Sequence, residues 1–116
     1  MLNQIILVGK IAEDLKLKEL DDGQKECNII LSVSRNIKNS EGSCDNDYIT
    51  CKLLGGIAEN TIKYCHRGDV VGIRGRVQSN IIEDKEHENK KIDISIIADR
   101  ITFLTSKSKE KEELER

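Results

Sequence analysis

Four cysteines (Cys27, Cys44, Cys51, Cys65) and two histidines (His66, His87) are the side chains of this chain best suited to metal binding or nucleophilic chemistry. The cysteines lie 17, 7 and 14 residues apart, and no C-x-x-C pair occurs. A structural zinc site draws its ligands in closely spaced pairs, and the adjacent Cys65 and His66 are a poor substitute. Cys27 and Cys51 fall inside alternating apolar runs, where cysteine behaves as a small hydrophobe. The cysteines are therefore read as buried free thiols, with a disulfide or a metal as lesser alternatives. The paired carboxylates, Asp21 with Asp22 and Asp45 with Asp47, sit in turn-rich segments without a readable histidine partner, and such residues are ordinarily turn formers. No Walker-type glycine loop is present. The expectation is a non-catalytic protein with no metal and no cofactor.

Composition narrows the class further. The chain has 116 residues, 19 basic and 21 acidic, a formal charge of −2, three aromatic residues and no proline. That length suits one domain, and no apolar run approaches the roughly 18 residues of a membrane span. Met1-Leu2-Asn3-Gln4 does not open a signal peptide. A cytoplasmic protein is expected. The charge balance names no partner, since nucleic-acid binders ordinarily carry a basic excess. Any anion-binding surface must come from local sorting of charge.

The elements follow from the period of the apolar residues. Residues 4–11 read as a strand, with a short alternating continuation at 15–20 and a turn at Asp21-Asp22-Gly23. Residues 25–35 alternate, with Cys27, Ile29, Leu31 and Val33 on one side. Residues 36–46 read as a flexible loop. In 47–54, Ile49, Cys51 and Leu53 face one way, and Tyr48, Thr50, Lys52 and Leu54 the other. Residues 57–66 suit a short helix closed by Gly68 in the left-handed conformation, with Tyr64 in the core. In 69–82, Val71, Ile73 and Val77 alternate with Arg74, Arg76 and Gln78, and Gly75 marks a bend. Residues 83–91 read as an exposed hairpin loop, 92–104 as a strand ended by a packed Phe103, and 105–116 as a charged tail. Five strands with a helix between the third and fourth is the pattern of an all-β oligonucleotide/oligosaccharide-binding (OB) barrel, here spanning residues 1–104.

Particular residues also resemble a known family. Leu7-Val8-Gly9-Lys10, Leu31-Ser32-Val33-Ser34-Arg35, Asp47-Tyr48-Ile49-Thr50-Cys51, Ala58-Glu59-Asn60 with Tyr64 and Arg67-Gly68, and Gly75-Arg76-Val77-Gln78-Ser79 occur in order. Together they resemble bacterial single-stranded-DNA-binding proteins over residues 1–104. The resemblance implies an OB barrel that assembles as a homo-oligomer, with a tetramer favoured and a dimer possible. It also implies sequence-tolerant binding of single-stranded DNA in replication, recombination or repair.

The family grips single strands with aromatic platforms that stack on bases and cations that follow phosphates. The resemblance implies Tyr48 as a retained platform, but aliphatic Leu54 and Ile82 at two others. Gln4, Gly55, Gly56 and Asn80 stand where the family carries cations. The implied contact residues are Lys10, Lys18, Arg35, Tyr48, Thr50, Lys52, Leu54, Arg67, Arg74, Arg76, Gln78, Asn80 and Ile82. For Leu54 and Ile82 a subunit interface is the equal alternative. Two lost stacks would cost roughly 2–6 kcal/mol, so a weaker or more specialised binder is expected. Residues 105–116 lack the family's acidic, phenylalanine-tipped end, so no recruitment of repair enzymes is expected through them. The competing reading is an assembly or accessory protein like primosomal replication protein N, with weak or lost DNA binding.

Overall fold

The computed structural model describes residues 1–84, 86 and 88–105, so His87 and most of the charged tail lie outside the described residues. Among the described residues six strands and one helix run in the order β1 (Ile5–Ile11), β2 (Leu17–Glu19), β3 (Lys25–Lys38), β4 (Cys44–Leu54), α1 (Gly56–Tyr64), β5 (Val70–Asp84) and β6 (Asn89–Thr105). The sheet order is β1-β5-β6-β4-β3-β2, and a further β1–β3 pairing closes five of the strands into a barrel. The fold is the expected OB barrel, with β2 as a three-residue appendage on β3.

Period-two alternation packs the barrel as the sequence predicts. Cys27, Ile29 and Leu31 of β3, Cys51 and Leu53 of β4, and Val71 and Ile73 of β5 are buried together with Ile11, Ala58, Cys65 and Ala98. Burial pushes the Cys51 thiol up to about 11. It does the same at Cys65, where Asp69 adds to the effect. Cys44 is the correction: it is exposed, because it opens β4 beyond the barrel rather than within it.

Gly75 marks the expected bend. Arg74 pairs with Arg100 but Gly75 pairs with Ala98, so Asp99 is an extra residue and β6 bulges there. Beyond the bulge the β5–β6 ladder continues to Asp84↔Asn89, so the polar stretch 83–91 is mostly strand and not loop. Glu83 and Lys90 stand opposite each other with 3.9 Å between charges, the kind of cross-strand pair that supports a ribbon without a core. Residues 36–46 are likewise part of a ribbon. Asn39 organises its tip, accepting hydrogen bonds at Oδ1 from the backbone N–H of Glu41 (2.9 Å) and Ser43 (3.2 Å).

The helix ends at Tyr64, two residues early, with Cys65 already extended and its side chain buried. Gly68 has φ of +96° but serves the following turn. There its N–H bonds the Ile11 carbonyl and the Asp69 N–H bonds that of His66. His66 therefore lies beyond the helix. Tyr64 is exposed rather than in the core; its ring meets Phe103 at 6.3 Å, and Lys63 lies over it at 5.4 Å. This pair sits at the helix end of the barrel.

Candidate nucleic-acid interface

β4 and β6 are parallel and pair only through Cys51↔Ile96 and Lys52↔Ile97. Their earlier halves, each still paired to its antiparallel partner, therefore part from one another at the same end of the barrel. The result is two two-stranded arms, β3–β4 and β5–β6, with α1 at the opposite end. The outward sides of β3, β4, β6 and β5 form one surface between and below these arms.

Register sorts the expected contact residues on that surface into rows. One row runs Lys10–Ser32–Tyr48 across β1, β3 and β4. A second runs Asn28–Lys52–Ile97–Arg76 across β3, β4, β6 and β5. Between them lie Thr50, paired with Ile30, and Gln78, paired with Ser95. Lys18, Glu26 and Leu54 form a third row toward the helix end. Tyr48 is 67% exposed and has no ring partner among the described residues, so its face is open to a stacking base. The Arg76 guanidinium is steadied by a 2.8 Å hydrogen bond to the Gln78 side-chain oxygen.

Asn80 and Ile82 share the outward side but stand on the β5–β6 arm, paired with Asp93 and Lys91. Three expected contacts fall elsewhere. Arg35 follows Ser34 by one residue and so turns to the opposite side of its arm. There its Nε and Nη2 both bond Asp47 Oδ1, at 3.0 and 2.8 Å, which raises its pKa and engages its charge. Arg67 lies in the turn after α1 and registers with none of the other contacts. Arg74 faces Arg100 across the ladder, beside Ile6 of β1 and away from Tyr48.

Sequence reasoning missed a set of exposed aliphatics on the arms: Ile37 on one, and Ile81, Ile92 and Ile94 on the other. Ile81 and Ile92 are paired, and Ile94 shares their side. The signal available was alternation continuing through 69–82 and 92–104 past the length that the core needs, and a β-branched Ile37 inside the stretch 36–46 that reads as loop. A separate exposed apolar group, Ile6, Val8 and Leu104, lies on the outer side of β1 and β6 around Gly72. Among the described residues no three potential metal ligands gather, and no helix is long and apolar enough to cross a membrane.

Comparison with known proteins bears on the family and the fold. The sequence model described as the single-strand binding protein family matches residues 2–104. A single-stranded DNA-binding protein B of Bacillus subtilis is 36% identical over 111 residues, covering 96% of this chain and 97% of that protein. A single-stranded DNA-binding protein 1 of Staphylococcus aureus is 34% identical over 108 residues, covering 93% of this chain and 69% of the relative. A crystal structure of a deletion mutant of the single-stranded DNA binding protein from Thermus aquaticus superposes with a TM-score of 0.73 at 21% identity. The superposition covers 92% of this chain and 52% of the Thermus chain, and it supports the fold.

Proposed function

The chain belongs to the single-strand binding protein family, and from that premise we propose that it binds single-stranded DNA without catalysis. The bound strand crosses the outer side of β3, β4, β6 and β5 between the two arms. The observation that carries this reading is the open Tyr48 ring between a Lys10 row and a Lys52–Arg76 row. A stacking platform flanked by cations is what sequence-tolerant single-strand binding needs. Work on single strands in replication, recombination or repair, in the cytoplasm, is the role that fits. The family match favours this over an accessory role with lost DNA binding.

Binding is weaker than an aromatic-rich surface gives, because Leu54 and Ile82 offer no ring. Copies of the chain associate as a homo-oligomer, a tetramer ahead of a dimer, through the apolar group Ile6, Val8 and Leu104. Light scattering reads that mass directly.

Fluorescence anisotropy with labelled oligo-dT at several salt concentrations tests the function. Three phosphates met by Lys10, Lys52 and Arg76 give a log–log slope of roughly −2. No binding at the lowest salt, or binding without a slope, overturns the reading.

A further inference from the structure

At the root of the fork where β4 and β6 part lies a cleft of about 140 Å³, lined by Asn28, Thr50, Lys52, Ile94, Ser95 and Ile96. It sits on the proposed binding surface, and this inference rests on that reading. None of the polar side chains lining it has an intramolecular hydrogen bond or ion pair among the described residues. That distinguishes them from Arg35 and Arg76, whose side chains are engaged within the chain. They are also not needed for the core, since Asn28 and Thr50 are exposed.

The chemistry of the lining is lopsided. The Asn28 amide gives two donors and one acceptor oxygen, the Thr50 and Ser95 hydroxyls each give a donor, and the Lys52 ammonium gives three. Ile94 and Ile96 supply an apolar flank. A ligand that suits such a wall is flat, presents carbonyl oxygens beside a single N–H, and carries negative charge within reach of the lysine. We infer that the cleft takes one thymine base of the bound strand edge-on. The carbonyl-rich edge meets Asn28, Thr50 and Ser95, the ring lies against Ile94, and the adjoining phosphate meets Lys52.

Stacking is indifferent to base identity because every base has a face. An edge-reading cleft is not, since a good two-point contact to a base edge discriminates. The protein therefore combines one sequence-tolerant platform, Tyr48, with one base-selective position a few ångströms of sheet away.

The test compares oligo-dT with the same oligonucleotide built from N3-methylthymidine, whose edge N–H is blocked while ring and backbone are kept. Wild-type protein is expected to bind the methylated strand at least 5-fold more weakly. Asn28→Ala is expected to bind oligo-dT at least 5-fold more weakly than wild type and to lose little more on methylation. Ser95→Ala, the second variant, shows the same compression to a smaller degree, and unchanged thermal melts establish that both variants fold. Equal sensitivity to methylation in wild type and both variants, or none in wild type, overturns the cleft while leaving single-strand binding standing. Failure of wild type to bind oligo-dT at all overturns the underlying reading instead.

Discussion

Replacing Leu54 with phenylalanine and Ile82 with tryptophan together is expected to tighten binding of oligo-dT by about 30-fold or more. Both side chains lie on the same outward side as Tyr48, Leu54 at the helix end of β4 and Ile82 on the β5–β6 arm. Leu54 is half-buried and Ile82 is 49% exposed, so a larger ring has room to lie over the surface in each place. A base stacked on an aromatic ring is worth roughly 1–3 kcal/mol. Two new platforms at the low end give about 2 kcal/mol, which at 1.4 kcal/mol per tenfold is the figure above. The gain resides in a slower off-rate and leaves the salt slope unchanged, because no phosphate contact is added. Anisotropy titrations of both single variants and the double variant measure it. An unchanged affinity in the double variant means that neither position touches a base, and Leu54 and Ile82 then belong to contacts between copies.

The second large effect is on the barrel itself. Gly75→Ala is expected to cost on the order of 3 kcal/mol of stability. Gly75 pairs with Ile5 on one side and Ala98 on the other, and it is buried where β6 bulges. A Cβ there would overlap the Ile97 carbonyl and stand 3.0 Å from the Ala98 Cα. Both obstacles are backbone, so the two strands must separate at the point where Ile97 also joins β4. Gly72→Ala is the matched control on the same strand. Its added methyl meets the Leu104 and Val8 side chains at 3.8 Å, an ordinary contact distance. Thermal denaturation followed by circular dichroism is expected to lower the midpoint by about 10–20 °C for Gly75→Ala and by far less for Gly72→Ala. A Gly75→Ala protein that melts with wild type contradicts the close approach.

How much of this was legible in the sequence depends on what stabilises each part. The alternation of Cys27, Ile29 and Leu31, and of Ile49, Cys51 and Leu53, is driven by burial in one core, and burial leaves a period-two trace. The outward partners Tyr48, Thr50 and Lys52 follow from the same trace by parity. The polar tips of the arms left no such trace. Glu83 opposite Lys90, and the Asn39 side chain closing its own hairpin, hold strands together with polar contacts that resemble loop composition. Register was also invisible: nothing in the linear order brings Asn28 to Lys52 to Ile97 to Arg76, so Asn28 and Ser95 escaped notice. Arg35 stands on the other side of its arm from Ser34, because parity reverses the side with each step along the strand. A helical period points Tyr64 inward, but the helix ends at that residue and the ring finds Phe103 at the rim.

The central claim is that Tyr48 and Lys52, two positions on one side of β4, hold the same single strand by different physics. Side-by-side titration of Tyr48→Ala and Lys52→Ala with oligo-dT over a range of salt separates the two contributions. The account predicts that Tyr48→Ala loses roughly 1–3 kcal/mol, about 5- to 150-fold, with the log–log salt slope unchanged. It predicts that Lys52→Ala binds more weakly with a slope shallower by about 0.7. Both variants binding as wild type does, with the same slope, would contradict it.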